Sequence, residues 1–159
     1  TNYKADQSGN HTFRYAITSA ARLSPAELAR FDADTRRPLI GYALYDTGNV
    51  RMTPEKRRMP EASGEFFRID ATHATVSAFK QAEDGRGFIL RLQETGGQNG
   101  AAKFSSPVFP LASVQLANGV EGAGAPLAIK GGAVEIPLKA WNYTTVRITF
   151  APAQAVVKR

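Results

Sequence analysis

From residue 65 to residue 150 one pattern repeats: a short run of β-branched and aromatic residues, then turn chemistry, then another run. The runs are EFFRIDA (65–71), ATVSAFK (74–80), GFILRLQET (87–95), AAKFSS (101–106), SVQLAN (113–118), PLAIK (126–130), AVEIPL (133–138) and TTVRITF (144–150). Between them lie Glu83-Asp84-Gly85, Gly96-Gly97-Gln98-Asn99-Gly100, Asn118-Gly119, Gly122-Ala123-Gly124 and Gly131-Gly132, residue types that accept the backbone angles of hairpin turns. No long helix can propagate through such punctuation. About eight short antiparallel strands at near-regular spacing predict an all-β fold, an antiparallel β-sandwich. Phe88, Leu90 and Leu92 alternate with Ile89, Arg91 and Gln93, and Val146, Ile148 and Phe150 alternate with Arg147 and Thr149, so each of these strands offers one face to a core. Pro107 and Pro110, flanking Val108 and Phe109, belong at an edge or bend.

The N-terminal part reads differently. HTFRYAIT (11–18) places Phe13, Tyr15 and Ile17 on one face against Arg14 and Thr18, which predicts a half-buried strand. A helix signal follows: Ser24 suits the N-cap, Pro25 the first helical position and Glu27 the capping-box carboxylate. The helix should end before Pro38, with Leu28 and Phe31 as a packing stripe. LIGYALY (39–45) predicts a second strand. From 46 to 64 the composition turns to DTGNVRMTPEKRRMPEASG, charged and interrupted by Pro and Gly, as in a loop or linker. These shifts divide the chain into 1–45, the end of a preceding β domain; 46–64, a linker; and 65–159, a C-terminal sandwich.

The sequence holds little that could do chemistry. It has no Cys, which removes disulfides, thiolate metal sites and thiol nucleophiles. His11 and His73 are the only histidines, fall in different proposed units and show no metal-ligand spacing. No G-x-S-x-G elbow or phosphate-binding glycine motif is present. Asp46, Asp70, Glu83, Asp84 and Glu94 could supply the carboxylate pair of a glycosidase only in the sense that sequence cannot reveal their separation, and each lies beside a turn or strand end. The charge of +6 raises nucleic acid as a partner, but acidic residues are interspersed throughout. The one dense basic cluster, Lys56-Arg57-Arg58, sits in the polar linker, so neither nucleic acid nor membrane is expected. Asn10-His11-Thr12 and Asn142-Tyr143-Thr144 are glycosylation sequons that would matter only in a eukaryotic secretory setting. Trp141-Asn142-Tyr143 admits two readings: aromatic faces that stack on sugars beside an amide that bonds hydroxyls, or a Trp plug closing the end of the sandwich.

Three stretches carry a resemblance. TNYKADQSGNHTFRYAIT, then ATVSAFKQAEDGRGFILRLQETGG, then VEIPLKAWNYTTVRI occur in the same order as similar patterns in bacterial α-mannosidases of glycoside hydrolase family 38. The middle one, with its AEDG-x-G followed by apolar residues and Arg-Leu, is the most specific. The resemblance implies a parent enzyme with an N-terminal barrel, a helical bundle and β domains. There, zinc engages the sugar hydroxyls, one Asp acts as nucleophile and a second carboxylate as acid/base in a retaining reaction. No motif of that machinery is found here, so no catalytic, metal or cofactor residue is assigned to this chain.

The reading that results is a C-terminal β-sandwich that scaffolds the catalytic domain of its own parent chain and is inactive alone. The chain opens on TNYKADQ without an initiator Met, which fits a seam inside a longer protein, and Asn2, Tyr3 and Lys4 become candidates for contact with the preceding domains. The alternative is an autonomous carbohydrate-binding sandwich that takes mannose-containing glycans through Trp141, Asn142 and Tyr143. Either reading implies a soluble protein, of bacterial cytoplasm or periplasm by the resemblance.

Overall fold

The computed structural model describes residues 8–37, 40–41 and 63–152. The capping box forms as its chemistry requires: the Glu27 N–H donates to Ser24 Oγ at 3.2 Å, and the Ser24 N–H donates back to the Glu27 carboxylate at 2.8 Å. The Ser24 N–H and the Ser24 hydroxyl, which also donates to it at 2.8 Å, hold the Glu27 carboxyl below the usual range. The helix they start, α1, spans Pro25–Arg36 and stops ahead of Pro38. Its packed face differs from the expected one. Leu28 is exposed and Phe31 half-buried, while Ala26 is the buried residue and Ala29 and Ala33 are half-buried. Ala26 is the residue that packs, whereas Ala29 and Ala33 line a cleft between the helix and the sheet.

Residues 11–18 form no strand, and Phe13, Tyr15 and Ile17 stand in solvent. Alternation selects a face, but a strand also needs a neighbour's hydrogen-bond ladder, and no strand of the described sheets pairs with this segment. Of the strand expected over 39–45, Ile40 and Gly41 are described and lie outside regular structure; the rest, with 46–62, falls outside the described residues.

The sandwich follows the expected runs closely. Its strands are β1 (Arg68–Asp70), β2 (Ala74–Gln81), β3 (Phe88–Glu94), β4 (Gly100–Ser105), β5 (Leu111–Ala117), β6 (Ala123–Leu127), β7 (Ile129–Lys130), β8 (Ala133–Leu138) and β9 (Tyr143–Phe150). One sheet has the order β1-β4-β8-β7 and the other β2-β3-β9-β5-β6, with every pairing antiparallel. The run read as one strand at PLAIK is two: β6 pairs with β5, and after Ala128 the chain crosses to pair as β7 with β8 in the other sheet. Pro126 is tolerated because β6 is an edge. The bend at Pro107–Pro110 likewise carries the chain between sheets.

Leu90 and Leu92 of β3, Val146 and Ile148 of β9, Phe104 of β4 and Ile136 of β8 meet in a common core. Phenylalanines close one end, with the Phe67 ring 4.8 Å from Phe79 and 5.7 Å from Phe150. Ile89 is buried on the opposite face of its sheet, where the alternation places it in solvent. Register puts it between Lys80 and Arg147, and Glu121 bonds both of these, its carboxylate 2.7 Å from Lys80 Nζ and its carbonyl accepting from Arg147 Nη2 at 3.0 Å. The loop carrying Glu121 thus covers Ile89.

The AEDG-x-G turn between β2 and β3 ends in Gly87, whose φ of +87° and close backbone approach both demand glycine: a Cβ there would stand 2.5 Å from the Ile148 carbonyl oxygen. Gly87→Ala is expected to cost roughly 1–3 kcal/mol, read as a lower urea midpoint at unchanged slope.

Candidate functional site

At the end of the sandwich opposite the phenylalanines, a single carboxylate organises two loops. Glu94, the last residue of β3, is 1% exposed, and its oxygens accept from the N–H groups of Gly96 (2.8 Å), Gly97 (2.9 Å) and, across the sheet, Trp141 (2.8 Å). Burial pushes the Glu94 carboxyl up, but the N–H groups of Trp141, Gly96, Gln98 and Gly97 outweigh it and hold the group below the ordinary Glu range. Asn99 ties the same loops together by accepting from the Ala140 N–H at 3.0 Å.

Trp141 depends on that arrangement. Its φ is +57°, a left-handed conformation that costs an L residue about 1–3 kcal/mol and persists only where surroundings enforce it. The indole lies across Gly97, where a Cβ would come within 2.7 Å of the ring, and remains 64% exposed. It is therefore not a plug: the turn beneath it is tight enough to hold it outside the core. Asn142 is exposed, and its side-chain oxygen accepts from the Tyr143 N–H at 2.8 Å. Tyr143 opens β9, is 54% exposed, and lines two adjoining clefts on the outer face of the five-stranded sheet.

The third cluster is ionic. Arg147 donates to Asp84 at 2.7 Å, and Lys80 pairs with both Glu121 and Glu83. The Arg147 guanidinium and the Arg86 N–H hold Asp84 below the usual carboxylate range; Lys80 and the Glu83 N–H do the same for Glu121. Glu121 in turn holds the Lys80 ammonium above its ordinary value, with Glu83 contributing less. This cluster latches the β2–β3 turn and the 118–122 loop onto the outer face.

The family model for the glycosyl hydrolases family 38 C-terminal beta sandwich domain matches residues 73–154. The chain belongs to this family. Comparison with curated proteins gives no match. The family 38 match spans β2 to β9, and so takes in Glu94, Trp141 and the AEDG-x-G turn together.

Within this family 38 domain the carboxylates singled out in the sequence scatter. Glu83 and Asp84 join the ionic cluster, Glu94 the loop hub, Asp70 sits in β1, and Asp46 lies outside the described residues with Asn2, Tyr3 and Lys4. His73 lies against Gly96, and its carbonyl accepts from the Thr95 N–H at 2.7 Å. No group of three or more His, Cys, Asp or Glu residues that could hold a metal occurs among the described residues, and none of their helices is long and apolar enough to cross a membrane. Sequence reasoning passed over Glu94 as a hub, although a Glu placed two and three residues before Gly-Gly is spaced to accept from both glycine N–H groups.

Proposed function

We propose that this domain is the C-terminal β-sandwich of a bacterial, retaining, zinc-dependent α-mannosidase, that it scaffolds the catalytic domain of its parent chain, and that it is inactive alone. The family 38 match carries the reading. The local geometry supports it, because the carboxylates most fixed by their surroundings are spent on structural bonds: Glu94 on backbone N–H groups, Asp84 on Arg147 and Glu121 on Lys80. A retaining glycosidase needs two carboxyl groups about 5 Å apart across the scissile bond. On this reading that pair and the zinc belong to the parent's catalytic portion, residues 1–45 to a preceding β domain, and Asn2, Tyr3 and Lys4 to the contact with it. The described residues offer zinc no donor set. Purified chain incubated with an aryl α-mannoside and zinc is expected to release no aryl product; zinc-dependent hydrolysis would show it to be a catalyst in its own right.

A second reading, an autonomous carbohydrate-binding module, is favoured by one observation: Trp141 is held exposed in a strained conformation by a buried carboxylate. An exposed aromatic face is what stacking on a sugar ring requires, and backbone strain kept at such a residue is a pointer to function. The chain has a single Trp, so indole fluorescence reports on this residue alone. Titration with mannose oligosaccharides should shift it, and a flat response disposes of the platform.

A further inference from the structure

We infer that the outer face of the five-stranded sheet around Tyr143, away from the Trp141 turn, is a groove that binds a neutral oligosaccharide. The inference rests on the carbohydrate-binding reading and gives it a second site. Two clefts of about 530 and 470 Å³ adjoin there, sharing Ser77 and Tyr143, and each lies in the range of roughly 300–1,000 Å³ common for small-ligand sites. The sheet forms the floor. Register aligns Thr75, Gln93 and Tyr143 across β2, β3 and β9, with Arg91 opposite Thr145 in the row beyond. Neighbouring strands run about 4.8 Å apart, so polar tips recur at intervals close to the span of a hexose ring. Helix α1 forms one wall, and its Ala29 and Ala33 keep the space beside the sheet open. That wall is fixed: Arg37 donates to the carbonyls of Val76 and Ser77, and Arg30 to that of Thr72 at 3.2 Å.

The ligand class follows from the groups of the lining that are wholly free to bond. Its guanidinium groups each make bonds already. Arg36 pairs with Asp32, Arg37 is taken by the β2 carbonyls, and Arg91 donates to Thr145 Oγ1 at 3.1 Å and to the Gly119 carbonyl at 3.0 Å. Each guanidinium keeps further N–H donors beyond these bonds, so an anion is the competing ligand and phosphate is the control that separates it from a sugar. Four neutral groups of the lining, the hydroxyls of Thr75, Ser77 and Tyr143 and the amide of Gln93, form no side-chain hydrogen bond among the described residues. Apolar side chains are few, so an apolar peptide would find little to cover. Neutral donors and acceptors set beside one exposed aromatic ring suit a polyhydroxylated, uncharged ligand, whose hydroxyls both give and accept hydrogen bonds.

The test is a titration of the ¹⁵N-labelled chain with a linear α-linked mannotriose and, separately, with inorganic phosphate. The saccharide should produce saturable amide shifts at Thr75, Gln93 and Tyr143, and phosphate none. Gln93→Ala and Tyr143→Ala, both outward-facing changes, should each weaken binding by about tenfold while leaving the spectrum of the folded core in place. Shifts confined to Trp141 and Gly97 would overturn the groove and leave the platform standing. Groove shifts with flat Trp fluorescence would remove the platform and leave the groove. Saturable phosphate shifts at the same residues overturn the ligand class, and no saccharide shifts anywhere overturn both sites.

Discussion

Glu94→Ala should lower the stability of the sandwich by about 3 kcal/mol or more, among the largest effects of any polar substitution in the chain. The substitution removes no charge pair. It leaves the N–H groups of Gly96, Gly97 and Trp141 without their acceptor in a place water reaches poorly, and each such orphan costs about 1–3 kcal/mol. Trp141 should respond with it, because the bond to its N–H helps to enforce the φ of +57°. A lower urea midpoint and an altered indole emission are expected together. Glu94→Gln keeps one acceptor oxygen and turns an amide NH₂ toward N–H donors, so it should fall between the wild-type chain and Glu94→Ala.

The same carboxylate sets a pH dependence. Because its folded pKa lies below the unfolded value, its contribution is fully present above the ordinary Glu value of about 4.3 and is lost as pH falls through the depressed folded value. Asp84 and Glu121 are shifted in the same direction, so the three add. The urea midpoint should stay level from neutrality to about pH 5 and fall below that. Glu94→Gln should flatten the acid limb in part; an acid limb as steep as that of the unchanged chain would show that Glu94 titrates normally.

The features that sequence revealed and those it concealed differ in the range of the interaction that fixes them. Most runs from β2 to β9 and the Ser24 cap are legible because period-2 burial, hairpin glycines and the capping box are local chemistry, whereas the crossing that splits β6 from β7 is set by pairing with distant strands. Ile89 was concealed because its cover, Glu121, comes from a loop distant in sequence and depends on ion pairs to Lys80 and Arg147. Residues 11–18 show the converse: their pattern is that of a strand, but no strand of the described sheets pairs with them. The groove was concealed for a third reason. Thr75, Ser77 and Gln93 are ordinary outward residues of strands, and only register brings them beside Tyr143.

Phe104→Ala is expected to cost about 3–5 kcal/mol, the loss typical of a fully buried ring that leaves a cavity. Phe104 is 1% exposed and its ring lies 6.1 Å from that of Phe67, which also contacts Phe79, Phe109 and Phe150. In β4 it stands between Ile69 of β1 and Val134 of β8, so strands on both sides resist collapse into the vacated space. Phe109→Ala provides the contrast: its ring is partly open to solvent at the rim of the cluster, and its removal should cost much less. Equal losses would mean that the aromatic end, rather than the interior between the sheets, bears the stability. Phe104 belongs to the four-stranded sheet and Tyr143 to the five-stranded one, so a folded Phe104→Ala chain should still show saccharide shifts at Thr75 and Gln93. That separation of core from outer face allows the stability of the sandwich to be weakened without altering what its groove presents.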